Sequence, residues 1–261
     1  MTSTDLDQDA KRFQAWQRDA LEARPAGSEL LSLGPFRAVV PRAEEPGRWV
    51  TMVEGPVLER ETNEAVATLR SMFEHHADKL QIEYDEVAFP EVGRWLVASG
   101  LEHVERNPLM ASRPKRFKPF AAPGVTVTRL TTKSKTADME AFQTIRWTNG
   151  GDSDGPIASV EQLQEQLESP RSVYLLAWLD GQPAGTGVSH SLKGAAEIVG
   201  IVTRADKRRR GVAATVTSEL VARHFTSGGD FAFLDAADRG AVKLYEGLGF
   251  ETFGANVVYR S

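Results

Sequence analysis

The sequence predicts an α/β (α+β) chain built as two tandem units, each with helices flanking a sheet. Three observations predict it. Strand-like and helix-like apolar patterns alternate along the 261 residues. A stretch with three prolines and few core positions, 112–124, interrupts them. The two halves also align at an offset of 149 residues: Gly100-Leu101-Glu102 falls on Gly249-Phe250-Glu251, Asn107 on Asn256, and Gln81-Ile82-Glu83-Tyr84 on Asp230-Phe231-Ala232-Phe233. The units are accordingly placed at 1–118 and 119–261.

Apolar residues at Leu6, Ala10, Phe13, Trp16, Ala20 and Leu21 recur close to helical spacing and predict a helix over 6–23, ended by Arg24-Pro25-Ala26-Gly27. Strands follow over 29–33, 36–40 and 48–53. A helix over 62–76 carries Ala65, Val66, Leu69 and Phe73 on one face. A strand over 80–84, a helix over 91–98 and a strand over 103–110 complete the first unit. The 112–124 stretch reads as a solvated connector.

The second unit opens with a strand over 125–130 and helices over 135–147 and 160–167, separated by the loop 148–156. Strands over 173–179 and 184–190 face each other across Asp180-Gly181-Gln182-Pro183, a turn signal. A strand over 197–203, a helix over 215–225, a strand over 231–235, a helix over 240–246 and a strand over 252–259 follow.

Composition narrows the chemistry. With no cysteine there is no disulfide, thiolate nucleophile or cysteine-ligated metal. The histidines lack metal-ligand spacing, so no metal is expected. Net charge is −5, which argues against a nucleic-acid surface. No run reaches the roughly 18 apolar residues of a membrane span, and the first residues lack a basic-then-apolar leader, so a cytoplasmic protein without a membrane partner is expected.

In this acidic chain one basic run stands out, Lys207-Arg208-Arg209-Arg210-Gly211-Val212-Ala213-Ala214, between a strand and a helix. The first turn of a helix has backbone N–H groups without intrahelical partners and lies at the positive end of the macrodipole. Gly211, Ala213 and Ala214 would let a diphosphate approach the backbone, and the arginines would add charge-assisted donors. The plain reading of four cations is a solvated cluster. In the first half the matching positions are Glu59, Thr62 and Glu64, so any anion held by the second half should not be held by the first.

Arg208-Arg209-Arg210-Gly211-Val212-Ala213 resembles the pyrophosphate loop Arg/Gln-x-x-Gly-x-Gly/Ala of the GNAT superfamily of acyl-CoA-dependent N-acyltransferases. Ala241-Val242-Lys243-Leu244-Tyr245-Glu246-Gly247-Leu248-Gly249-Phe250 resembles that family's Ala-x-x-x-Tyr-x-x-x-Gly-Phe helix and turn. The likeness covers the second half, with the first half similar to the degenerate unit of tandem members. It implies mixed, mostly antiparallel central sheets, the fourth and fifth strands splayed in the C-terminal unit. It implies acetyl-CoA as co-substrate, backbone contacts from Ile201, Val202 and Thr203 to pantetheine, and pyrophosphate held by Arg208, Arg209, Arg210, Gly211, Val212, Ala213 and Ala214. Tyr245 would then protonate the CoA thiolate as a small-molecule amine attacks; a phenol, with an ordinary pKa about 10, can donate that proton at neutral pH. Two positions depart from the family pattern: Ala205 replaces a common proline, and Asp238 an asparagine that contacts the cofactor.

Glu197 stands on the fourth strand, where the resemblance places a carboxylate reaching the amine through water. A solvent-facing or ion-paired strand glutamate is the plain reading. His190 and Asp235 are alternative bases, and solvent is a fourth. Asp152 and Asp154 in the 148–156 loop would attract a cationic amine, and Trp147 and Trp178 would line an aromatic acceptor site or pack in the core. A non-catalytic acyl-CoA-binding module is the alternative function, and the protein is expected to be a monomer or homodimer.

Overall fold

The computed structural model describes residues 3–23, 29–40, 49–52, 54–73, 80–149 and 159–261. In chain order the elements are α1 (Ser3–Glu22), β1 (Glu29–Leu33), β2 (Phe36–Val40), β3 (Trp49–Met52), α2 (Glu59–Phe73), β4 (Gln81–Asp85), α3 (Val92–Ala98) and β5 (Glu102–Ser112). They continue with β6 (Val125–Leu130), α4 (Thr136–Asn149), α5 (Val160–Leu167), β7 (Ser172–Leu179), β8 (Gln182–Leu192), β9 (Ala195–Thr203), α6 (Val212–Thr226), β10 (Phe231–Asp235), α7 (Arg239–Gly247) and β11 (Glu251–Arg260). Each predicted strand and helix has its counterpart. The loop residues 150–156, with Asp152 and Asp154, lie outside the described residues. No helix among the described residues is long and apolar enough to cross a membrane.

The chain forms two compact units. Unit 1 comprises Met1–Met110, Asp235–Arg239 and Thr252–Ser261. Its strands run in the order β1-β2-β3-β4-β11-β5, with β3 and β4 parallel and β4 antiparallel to β11. The stripe predicted on α2 is buried: Ala65, Val66, Leu69 and Phe73 pack with Trp95 and Leu96 of α3 and with Phe36, Ile82, Tyr84, Val257 and Tyr259 of the strands. Burying each of the larger side chains contributes about 1.5–3 kcal/mol. Strand β11 belongs here because its alternation puts Val257 and Tyr259 into this core, with the Tyr259 ring stacked 6.1 Å from that of Tyr84. The buried Asp85 carboxylate accepts the backbone N–H of Ala255 at 3.1 Å.

Unit 2 comprises Ala111–Leu234 and Gly240–Glu251. Its strands run β10-β9-β8-β7-β6, antiparallel except for the parallel pair β9 and β10. Asp180 and Gly181, both at positive φ, make the two-residue turn of the predicted hairpin. Helices α4 and α5 cover one face through Met139, Phe142, Ile145 and Leu163, and Trp178 packs against this cluster. Helix α6 covers the other face through Val216 and Leu220, which lie over Gly187 of β8. Ser159 opens α5 with a capping box, accepting from Gln162 N at 3.2 Å while its own N–H donates to Gln162 Oε1 at 2.8 Å.

The expected solvated connector is instead docked on unit 2. The Lys118 N–H donates to Leu248 O at 3.0 Å, Phe120 N–H to Ser218 Oγ at 2.8 Å, and Ala122 N–H to Thr215 Oγ1 at 2.9 Å. Prolines remove donors from the stretch, and the amides that remain find hydroxyl and carbonyl acceptors on the unit.

Candidate functional site

The basic run folds into a short, strongly curved turn. A 3-10 turn, Ala205–Lys207, is followed by Arg208 in extended conformation, Arg209 at φ 60° and Gly211 at φ 77°. Gly211 is the N-cap of α6 and makes no side-chain capping bond; the helix begins three residues before the predicted start because Gly211 can adopt this left-handed conformation. A Cβ on Gly211 would also sit 2.5 Å from that of Ala122. The first intrahelical bond runs from Thr215 N to Gly211 O at 2.9 Å. The amides of Val212, Ala213 and Ala214 therefore precede the helical ladder, and no acidic residue lies in the first turn. Left-handed residues around such amides make an anion-binding concavity. Helix α2 differs: it starts at Glu59 with Glu59 and Glu61 in its first turn, and Thr62, opposite Gly211 in the alignment, already donates its N–H to Leu58 O.

The arginines divide by partner. Arg210 pairs with Asp180 of the β7–β8 turn at 2.9 Å, and Arg208 Nε donates to Thr203 O at 3.5 Å. Arg204, just upstream, grips Asp206 with two bonds of 3.0 Å and Pro183 O with a third. The exposed Arg210 pair is worth little in stability; its consequence is geometric, tying the turn to the hairpin.

The two parallel strands of unit 2 separate beside this turn. Their ladder joins Ala195, Ala196 and Glu197 to Phe231, Ala232 and Phe233, and goes no further, although β9 runs to Thr203. Ile201, Val202 and Thr203 thus lie beyond the last rung, and the buried Thr203 hydroxyl has no hydrogen-bond partner among the described residues. Tyr245 lies on α7, only 7% exposed, with its ring 5.9 Å from that of Phe250. Its carbonyl accepts the N–H groups of Leu248 and Phe250, both at 3.0 Å, where Gly249 at φ 86° ends the helix.

Residues 139–250 match the model of the acetyltransferase (GNAT) family. They form a GNAT-family domain. Comparison with solved structures finds a GCN5-related N-acetyltransferase from Kribbella flavida, 24% identical with a TM-score of 0.78, covering 97% of this chain and 95% of that one. A GCN5-related N-acetyltransferase from Sphaerobacter thermophilus is 18% identical with a TM-score of 0.63, over 87% and 76%. A tandem GNAT protein from the clavulanic acid biosynthesis pathway is 15% identical with a TM-score of 0.62, over 98% and 95%. These likenesses are of fold. Comparison with curated proteins finds none that matches.

Within the GNAT domain, Glu197 on β9 lies directly opposite His190 on β8, and His190 opposite Ser172 on β7. Directly paired residues share a face. Ser172 Oγ lies 2.8 Å from His190 Nδ1. Burial, then the charges of Arg146 and Arg171, lower the His190 pKa from its ordinary 6.5. His190 is therefore neutral near neutral pH, able to accept a proton but a weaker base than a free histidine. Because the unfolded chain binds the proton more readily, stability conferred by this group rises with pH up to about 6.5 and falls below it. An NMR titration of His190 is expected to give an apparent pKa below 6.5; a value above it would show that the imidazolium is stabilised instead.

The other alternative base, Asp235, belongs to unit 1, where Asn256 Nδ2 donates to it at 3.4 Å. Desolvation, with the charge of Glu105 adding, raises its pKa. His224 is structural: its ring contacts Ser191 Oγ, Gly194 O and Phe231 O, each at 3.1 Å.

A cavity of about 500 Å³ opens between α4 and the end of β9, lined by Glu140, Ala141, Thr144, Thr148, Arg204 and Asp206. Neither Tyr245 nor Glu197 lines it, so its volume does not locate the reacting atoms. The sequence pattern did not single out Arg146 of α4. Its guanidinium lies 5.8 Å over the ring of Phe142, one turn away on the same helix, and against Gly200, a contact that only the folded strand brings about.

Proposed function

We propose that the protein is an N-acetyltransferase that moves an acetyl group from acetyl-CoA to a primary amine. The observation that carries this reading is the left-handed turn opening α6, beside strands that part at Glu197. The residues present fit the co-substrate. Amides of Val212, Ala213 and Ala214, with Arg208 and Arg209 beside them, would hold the pyrophosphate, and the β9 edge at Ile201, Val202 and Thr203 would take the pantetheine amides. Arg210, engaged by Asp180, would shape the turn.

In the proposed reaction the amine nitrogen attacks the thioester carbonyl, a C–N bond forms and the C–S bond breaks. The Tyr245 hydroxyl gives its proton to the departing thiolate, while Glu197 accepts the amine proton through water. The clavulanic acid pathway protein, described in a form without AcCoA, supports the co-substrate assignment by analogy of fold. Unit 1, whose α2 begins on glutamates, serves as the structural unit of a tandem arrangement.

Titration calorimetry is expected to show one acetyl-CoA bound per chain, and amines tested by thiol release should show turnover. Two molecules per chain would overturn the assignment of a single competent turn, and absence of binding would overturn the reading altogether. Binding without turnover on any amine would favour a non-catalytic acyl-CoA sensor; a tyrosine buried in the α7 motif supports the enzyme.

A further inference from the structure

We infer that Arg146 recognises a carboxylate on the acceptor, so that the amine acetylated here belongs to an amino acid or a related carboxylate-bearing molecule. This rests on the acetyl-transfer reading of the same unit and adds the class of acceptor.

Arg146 lies in the last turn of α4 and is half-buried. Taking a guanidinium partly out of water is unfavourable unless its donors find acceptors. Its cation–π contact with Phe142 satisfies none of its five N–H groups. Among the described residues Arg146 has no ion-pair partner, in contrast to Arg204, Arg210 and Arg223, each of which has a carboxylate.

The surroundings suit an anion that approaches along β9. Arg146 lies against Gly200 of that strand, where a Cβ would stand at ordinary contact distance, 3.4 Å from Nε and 3.6 Å from Cζ. Gly200 lies beyond the last rung between β9 and β10, in the stretch left open by the parted strands. Around the guanidinium stand the Tyr174 hydroxyl, which donates to Gln166 Oε1 at 3.4 Å and whose pKa burial raises against the opposing charge of Arg146, and neutral His190 with Ser172 on its ring. The second cation, Arg171, also lowers the His190 pKa. A cationic guanidinium beside neutral groups matches a monoanion, and its planar fork matches a carboxylate. It repels a polycation. Glu197, on the same face opposite His190, would meet the amine of such a zwitterion.

The test compares matched amines, lysine with cadaverine and phenylalanine with phenethylamine, on wild type and on Arg146→Met and Arg146→Lys. For wild type, kcat/KM for the carboxylate member of a pair is expected to exceed that of its partner by at least about tenfold, the size of a good charge-assisted contact. The preference should vanish in Arg146→Met, chiefly through KM, and return in part in Arg146→Lys, while calorimetry shows unchanged acetyl-CoA affinity. Saturation-transfer NMR of the same amines on the CoA-bound protein reads the preference without turnover. Equal use and equal binding of both members, or a preference that survives in Arg146→Met, would overturn the inference. Failure of the acetyl-transfer reading is a different result: no acetyl-CoA binding by wild type.

Discussion

Replacing Tyr245 with phenylalanine is expected to lower kcat by roughly a hundredfold or more, the scale of a positioned proton donor, with acetyl-CoA affinity close to wild type. The substitution removes one oxygen from a side chain that is 7% exposed and packed on Phe250, so the ring contact and the carbonyl that closes the helix end are kept. Stability should change by about 1 kcal/mol, the net contribution of a typical hydrogen bond. Steady-state kinetics with thiol detection separates the two readings of this residue. A tyrosine that only packs on Phe250 predicts unchanged turnover, and that result would remove Tyr245 from the mechanism.

The second large effect belongs to Gly211→Val. A β-branched residue at φ 77° is strained, and its Cβ would stand 2.5 Å from that of Ala122 in the docked connector. Left-handed strain and overpacking together are expected to cost about 2–4 kcal/mol of stability, read as a lower midpoint in chemical denaturation. In the fraction that remains folded, acetyl-CoA affinity should fall at least tenfold, because the relaxed turn no longer aims its amides at one point. Wild-type affinity in this variant would show that the left-handed turn is not what holds the pyrophosphate.

The turn was legible in the sequence because its logic is local: a strand, cations, a glycine and small residues at fixed offsets encode a helix N-terminus in one short stretch. The α2 stripe was legible for the same reason, since helical periodicity alone places Ala65, Val66, Leu69 and Phe73 on one side. What escaped depends on distant neighbours. Alternation in β11 shows which face of the strand is apolar but says nothing of which strand lies beside it, and its pairing with β4 emerges only in the fold. The 112–124 stretch looked like a tether because prolines and cations dominate it; its acceptors, Thr215, Ser218 and Leu248, lie far along the chain. Arg146 was one arginine on an amphipathic helix until Gly200, far along the chain, gave it a setting.

The membership of β11 in unit 1 has a consequence for how the chain is born. Strand β4 is made early, yet its neighbour within the same sheet is the stretch that follows Glu251. During synthesis, unit 1 therefore waits with a bare strand edge and an unfilled place for Val257 and Tyr259 until the ribosome has delivered residues far downstream of β4. Closure of the first unit comes only after the second has been made, and a fragment cut in the connector would carry that open edge as a site for aggregation.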